Sequence, residues 1–272
     1  MPFYRKKSRI PKRGRKLRKV ARKSTKPSKV FVKKVKTVLH NQAETKHAYH
    51  TTSNASLTYF NSGINSTGDM LQIMPNISQG TADNNRIGDQ IRAQTLNLRG
   101  YLKLDINTSG ASNSDLTTVV ARLFVVSLKS KPNYTEATSS ASPLSGLLKK
   151  GGTTVGFTGV LSDIYAPVNT DLWTVHHDRK FYLNQSHIQN FNSTTNAIVP
   201  VDVRNTVKFF NLNVKCKNKL LKYDANVSSG LLPVNYGPIF LLGYSFLNSA
   251  SPDVLSTRVG VQYDAMMSYE DA

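Results

Sequence analysis

The sequence contains a single cysteine, Cys216, and few long apolar runs. One cysteine excludes both an internal disulfide framework and a cysteine-based zinc site. The longest apolar run, residues 238–247, is about half as long as a membrane-spanning helix requires, so we expect no membrane insertion. No apolar segment with a small-residue cleavage site follows the N-terminal cations, so we also expect no secretory leader.

Acidic residues are absent from residues 1–36, which contain 17 lysines and arginines. The whole chain of 272 residues has a formal net charge of +20, but residues 37–272 hold 19 basic and 16 acidic side chains, a net charge of +3. Dense like charge with few apolar side chains cannot offset the entropy of ordering a chain. We therefore predict a disordered basic arm and linker over residues 1–44, with the linker at 24–44, and a folded domain over 45–272.

Motifs of nucleophilic and phosphate-binding enzymes are absent as well. The glycine-rich stretch Gly151–Gly156 lacks the following helix of a phosphate loop, and His176 and His177 should point to opposite faces of a strand. No close pair among the 16 acidic residues suggests acid–base hydrolysis. We predict no catalytic residue, no cofactor and no resident metal. Aspartates at a subunit interface remain an alternative as calcium ligands, but the sequence selects none of them.

From residue 45, short runs rich in Val, Leu, Phe, Tyr and Thr alternate with clusters of Asn, Ser, Gly and Pro. This pattern is typical of strands joined by turns, and no helical period interrupts it. It predicts an all-β fold, an eight-stranded antiparallel β-sandwich or jelly roll. The predicted strands are 46–60, 93–106, 117–128, 172–183, 204–215, 219–224, 238–248 and 257–268.

Alternation within these strands predicts which side chains lie between the two sheets. The predicted core residues are Leu96, Leu98, Leu102, Leu104, Trp173, Val259, Val261 and Tyr263. The long connection at 129–171, with a helical turn at 143–150, is expected to be functional or to contact neighbouring subunits.

The basic arm is the strongest functional signal, because its cations would neutralise phosphates and release counterions without reading base sequence. Nucleic-acid binding is predicted for Arg5, Lys6, Lys7, Arg9, Lys12, Arg13, Arg15, Lys16, Arg18, Lys19, Arg22 and Lys23. A nuclear import signal, compatible with that role, is predicted for Arg5, Lys6, Lys7, Lys12, Arg13, Arg15, Lys16, Arg18 and Lys19. A solvated tail without a partner is the third interpretation.

Three segments carry a resemblance to a known family. They are Ile77–Ile91 followed by Leu96–Gly100, then Trp173–Leu183, and finally Val259–Ala265. Together with the basic arm, these segments resemble the capsid proteins of circular single-stranded DNA viruses that encode a replication initiator. The capsids of satellite RNA viruses share the same single jelly-roll plan. The arms of circoviruses proper are richer in Arg than in Lys, so the virus family stays open.

The resemblance implies a coat protein that assembles into an icosahedral shell, with about 60 copies favoured over about 180. It implies sheets in the strand orders B-I-D-G and C-H-E-F. Its partners would be other copies of the chain, a viral genome of single-stranded DNA, and the host import machinery. The protein would occur in the virion and, during assembly, in the host nucleus. The alternatives are a cellular β-sandwich protein that binds nucleic acid, the capsid of a small RNA virus, and a sandwich enzyme with a basic tail.

Overall fold

The computed structural model describes residues 27–42, 45–52, 57–104, 118–184, 189–192, 197–200, 205–224, 230–247, 252 and 258–271. The chain divides into two units, residues 1–43 and 44–272. None of the described helices has the length and apolar character needed to cross a membrane.

A helix, α1, runs from Lys29 to Gln42, within the segment predicted to be an unstructured linker. Ser28 caps its N-terminus, because the Ser28 hydroxyl accepts a hydrogen bond of 3.1 Å from the Phe31 amide. The sequence repeats apolar residues at Phe31, Val35 and Val38, which is a helical spacing that the charge density of the segment obscured. The prediction of a linker without secondary structure was therefore wrong for residues 29–42.

The body is mostly β-structure with a few short helical segments. Its α-helices are α2 (Tyr134–Ala137) and α3 (Leu161–Tyr165), and its 3₁₀ turns are Thr67–Asp69 and Ser142–Gly146. Its strands are β1 (Thr45–Thr51), β2 (Thr58–Phe60), β3 (Leu71–Gln72), β4 (Gln90–Leu104), β5 (Val119–Leu128), β6 (Leu148–Lys150), β7 (Thr153–Val155), β8 (Trp173–Leu183), β9 (Gln189–Asn192), β10 (Ala197–Pro200), β11 (Val207–Lys222), β12 (Ile239–Phe246) and β13 (Val259–Asp271).

Two antiparallel sheets form a sandwich-like arrangement. The first sheet has the order β1-β13-β4-β11, with β2 also paired to β13, and the second has the order β3-β12-β5-β8. Five of the eight predicted strands each correspond to one strand, namely β4, β5, β8, β12 and β13, but 46–60 contains both β1 and β2. The predicted strands 204–215 and 219–224 are one strand, β11, whose pairing with β4 shifts between Lys215 and Lys219.

The main core lies between these sheets. In this core, inward residues of β4, such as Leu98 and Leu102, and of β13, such as Val261, pack against Phe240 and Leu242 of β12. Seven of the eight predicted core residues belong to this cluster, and all eight are buried. Gly100 also faces inward, because a Cβ there would lie 2.2 Å from the Gln262 carbonyl oxygen. The close approach of β13 to β4 therefore requires glycine at this position.

A second buried cluster covers the other face of the β3-β12-β5-β8 sheet. It packs Phe124 and Val126 of β5 and Leu241 of β12 against residues of the 129–171 connection, including Phe157 and Ile164. Trp173 belongs to this cluster, so its predicted position between the sheets was wrong. The connection folds over its own sheet, which is why it carries α2, α3 and the hairpin β6–β7.

Candidate nucleic-acid interface

The predicted nucleic-acid-binding and import residues, from Arg5 to Lys23, lie outside the described residues. The first described cations of the N-terminal unit are on α1, which has no acidic residue in its first turn. Lys33 and Lys34 lie on this helix beside exposed apolar side chains such as Val30 and Phe31. This helix therefore extends the basic character of the N-terminal segment into an ordered element.

The outer face of the β1-β13-β4-β11 sheet is the most distinctive surface of the body. On β11, inward residues such as Phe210 and Leu212 are buried, whereas Phe209, Asn211 and Asn213 are exposed. Strand β4 follows the same alternation, and its outward residues pair in register with those of β11. Period-two alternation thus builds a core on one side of this sheet and an open polar face on the other.

Two aromatic rings lie side by side on this open face. Phe209 is 79 % exposed, the largest value among the large hydrophobic side chains of the described residues. Tyr101 is its direct partner across β4, with the ring centroids 6.0 Å apart at an angle of 56°. The Tyr101 hydroxyl donates a hydrogen bond of 2.6 Å to Gln262 Oε1, which orients the tyrosine ring. A phenyl ring left this open to water is available for stacking against a flat ligand.

Cations surround the aromatic pair. Arg99 and Lys103 lie on either side of Tyr101 along β4, and Lys215 lies further along β11; all three are exposed. One exposed carboxylate, Asp264, lies opposite Arg99 in register. The surface near the rings therefore combines positive charge with exposed aromatic rings.

Side-chain amides lie on the same face. Asn213 Nδ2 donates a hydrogen bond of 2.8 Å to Asn97 Oδ1, its partner across the two strands. Asn211 is the next outward residue of β11 and is exposed. Amide, cation and aromatic ring together match the chemistry of surfaces that bind single-stranded nucleic acid without strong sequence preference.

Sequence reasoning missed this face, although a signal was present. The segment Phe209-Asn211-Asn213-Lys215 occupies the outward positions of a predicted strand, and a phenylalanine in that polar series is out of pattern.

Two arginines of the body serve the fold instead. Arg86, in the segment Ile77–Ile91 that carries the resemblance, is buried with its guanidinium carbon 4.5 Å from the Tyr223 ring centroid. It donates a hydrogen bond of 2.6 Å to the Gly88 carbonyl. This loop is also held by backbone hydrogen bonds between Arg86 and both Ser78 and Gly80.

Arg122 is buried on the covered face of the second sheet. Its Nε and Nη2 donate to both carboxylate oxygens of Asp178, at 2.8 and 2.6 Å. Its Nη1 donates to the carbonyls of Asp163 and Ala166, at 2.6 and 2.7 Å. Because one guanidinium joins two strands to α3, this arginine attaches the 129–171 connection to the sheet.

The remaining sequence candidates have local roles. Gly151 and Gly152, with φ of 54° and 87°, form the turn of the β6–β7 hairpin, where left-handed backbone favours glycine. His176 lies beside Ser127, with 2.9 Å between Nε2 and Oγ. His177 Nε2 is 3.0 Å from the Asn213 carbonyl oxygen. Within the described residues, no group of three His, Cys, Asp or Glu side chains has the arrangement of a metal site.

Comparison with known proteins identifies no relative: no protein-family model matches the chain, and no curated protein sequence matches it.

Proposed function

We propose that this protein is the capsid protein of a small circular single-stranded DNA virus, which assembles into an icosahedral shell and packages the genome through its basic N-terminal arm. The observation that carries the proposal is the separation of charge, with 17 cations and no acid in residues 1–36 and a net charge of +3 in residues 37–272. A polycation binds a polyanion by counterion release, and a nearly neutral body can pack against copies of itself.

The strand order supports the jelly-roll assignment. With β1, β3, β4, β5, β8, β11, β12 and β13 lettered B to I along the chain, the two sheets have the orders B-I-D-G and C-H-E-F. These are the orders that the resemblance to single jelly-roll capsids implies. The short strands β2, β6, β7, β9 and β10 then belong to loops of the eight-stranded sandwich.

The charge of the arm suits a genome of modest length. In a shell of about 60 copies, the 17 cations of each segment 1–36 amount to about 1,000 positive charges. This is roughly half the phosphates of a single strand of about 2,000 nucleotides. The same cations form the nuclear import signal, which would bring the protein to the host nucleus before it enters the virion.

A cellular single-strand-binding protein is the second candidate. The exposed pair Phe209 and Tyr101, beside Arg99 and Lys103, favours it, because such a surface contacts nucleic acid without any shell. A capsid of a small RNA virus differs from our proposal only in the genome that it would carry.

Electron microscopy of the purified full-length protein tests the proposal, together with sequencing of the nucleic acid that copurifies with it. Closed particles that contain one circular single-stranded DNA are expected. Particles that carry RNA would support the RNA-virus alternative, and monomers that carry mixed cellular nucleic acid would support the cellular protein.

Deletion of residues 1–36 tests the role assigned to the arm. The body should stay folded, because all the described strands lie in the unit 44–272. Genome packaging and nuclear accumulation should be lost, and the salt dependence of single-stranded DNA binding should become shallow. A truncated protein that binds with the affinity and the salt slope of the full chain would place the main site on the sandwich and contradict this assignment.

A further inference from the structure

A cavity of about 280 Å³ opens where the edge strands of the two sheets meet. It lies at the end of β5, the beginning of β8, the final third of β11 and the loop before β12. Its polar lining consists of Ser127, Lys129, Thr174, His176, Lys219 and Tyr236. This cavity is separate from the arm and from the open sheet face, and it reaches the core only through Tyr236 and Leu128 in its lining.

Two strand irregularities direct side chains into this cavity. On β8, Val175 pairs with Val126 and His177 pairs with Val125, so His176 is the extra residue of a bulge. Bulges change the direction of a side chain and are common beside binding sites.

The second irregularity is on β11, where Lys215 pairs with Thr95 and Lys219 pairs with Ala93. Lys217 and Asn218 between them have left-handed φ values of 52° and 57°. Left-handed backbone at a residue other than glycine costs about 1 kcal/mol or more. Such a cost is common where a strained segment positions a functional side chain.

The irregularity on β11 gives Lys219 an unusual position. Its pairing partner Ala93 points into the main core, so Lys219 leaves the strand on the core side, at the rim of the sandwich. There its ammonium nitrogen lies 4.3 Å from the centroid of the buried Tyr236 ring. Lys219 is nevertheless an exposed residue, so its charged end is solvated at the mouth of the cavity, where an anion could replace the water.

His176 brings a second ionisable group to the cavity. Its Nε2 is 2.9 Å from Ser127 Oγ, and its ring is edge-on to Tyr236. The pKa of His176 is lowered, first by burial and then by the positive charge of His177 and Lys219. Lys129, from the end of β5, is a further cation in the lining, and its Nζ donates to the Thr170 carbonyl.

No carboxylate among the described residues forms an ion pair with Lys129, His176 or Lys219. The cavity also has no acidic residue in its lining. Its lining therefore combines two ammonium groups, an imidazole and three hydroxyls. The Asp171 carboxylate, which interacts electrostatically with Lys129, lies outside this lining. Ammonium groups and hydroxyls are donors suited to phosphate-type oxygens.

We infer that this cavity is a binding site for a tetrahedral oxyanion, a phosphate or sulfate group held by Lys219, Lys129 and His176. The oxyanion would accept hydrogen bonds from both ammonium groups and from protonated His176. Such a group occurs as free phosphate, as a nucleic-acid phosphodiester and as a sulfate ester of a sugar. The inference does not depend on the capsid proposal, because it concerns an edge of the folded body.

Thermal unfolding of the full-length protein tests the site, with sodium phosphate or sulfate added in place of sodium chloride at constant ionic strength. An anion raises the melting temperature only if it binds the folded state better than the unfolded one. Anions that bind the folded and the unfolded protein equally well, as at a basic segment, produce no shift in the melting temperature. The assay therefore detects a site built by the folded body.

The test compares Lys219→Gln with Lys222→Gln, a matched control at an exposed lysine of the same strand that lies outside the cavity. The control also accounts for general stabilisation by phosphate and sulfate. We expect Lys219→Gln to require about tenfold more phosphate for the same shift, as loss of one charge-assisted hydrogen bond predicts. With sulfate, which does not titrate in this range, the shift should grow as the pH is lowered from 8 to 5, because the lowered pKa of His176 moves its protonation toward the acidic end of this range.

Two further probes identify the source of the oxyanion. A thymidine dinucleotide indicates nucleic acid, and a sulfated monosaccharide indicates a glycan, if it shifts the melting temperature of the unmodified protein more than that of Lys219→Gln. Because a dinucleotide can also stack on Phe209 and Tyr101, an equal shift in both proteins would count against the cavity as its site. His176→Gln is a second variant in case Lys219→Gln does not fold, and it should weaken binding and remove the pH dependence. Equal phosphate shifts in the cavity variants and in Lys222→Gln, or no shift with any probe, would overturn the inference.

Discussion

Replacement of Phe209 by serine separates stacking from charge in the binding of single-stranded DNA. Phe209 is 79 % exposed and is not a member of the buried core between the sheets. The free energy of unfolding should therefore change by less than about 1 kcal/mol. A change in DNA binding can then be assigned to the surface and not to unfolding.

The expected magnitude follows from the geometry of the ring pair. Loss of one stacked base costs about 1–3 kcal/mol, and a cost near the lower end corresponds to about tenfold weaker binding. Tyr101 remains in Phe209→Ser and keeps its hydrogen bond to Gln262, so the loss should not exceed one stacked base. The salt dependence should not change, because serine and phenylalanine carry no charge.

Fluorescence anisotropy of a labelled oligothymidylate, titrated with full-length protein at several NaCl concentrations, provides both quantities. On a plot of log K against log salt, Phe209→Ser should give a line parallel to that of the unmodified protein and about one log unit lower. Tyr49→Ser is the matched control, since Tyr49 is also an exposed aromatic residue of this sheet but lies on the far edge strand β1. If Phe209→Ser and Tyr49→Ser bind equally well, or if Phe209→Ser changes the slope, the stacking role is refuted.

Three further predictions concern the body. Arg122→Met should lower the free energy of unfolding by about 3 kcal/mol, because it leaves the buried carbonyls of Asp163 and Ala166 without their donor. Urea denaturation measures this loss, and a loss below about 1 kcal/mol would contradict the prediction. Lys217→Gly should raise the free energy of unfolding by about 1 kcal/mol, because glycine adopts the φ of 52° at this position without strain. Urea denaturation measures this change, and a lower free energy of unfolding in the variant would show that the backbone at Lys217 is not strained. Burial raises the pKa of the Cys216 thiol to about 11. Above about pH 9 the unfolded state releases this proton while the folded state keeps it, so the free energy of unfolding should fall between about pH 9 and 11. Cys216→Val should reduce that fall in urea midpoints measured across this range, and an equal fall in the variant would assign it to other groups.

Strand positions could be predicted because alternation is a local property. In β4 and β13, one face of each strand packs in the core, and residues such as Leu98 and Val261 mark that face in the sequence. The continuous apolar run of β5 also predicted a central strand, since both of its faces are buried.

The incorrect predictions concern residues whose positions depend on contacts between distant parts of the chain. Trp173 begins a predicted strand, but only the folding of 129–171 over the second sheet provides the cluster that buries it. The short strand β3 pairs with β12 through two residues and has too little pattern to predict. The polar run Lys217-Asn218-Lys219 has the composition of a turn, so the local sequence favoured two strands, whereas β11 continues through it with a shift in register.

The uneven distribution of charge has a physical consequence for any assembly of this chain. A net charge of +20 spread over the body would make neighbouring copies repel at every contact, whereas a body with +3 can approach a copy of itself closely. Concentration of the cations in the N-terminal segment moves the repulsion to a region where a polyanion can neutralise it. On this basis, assembly should be promoted by nucleic acid for the full chain and should be much less dependent on nucleic acid once residues 1–36 are removed.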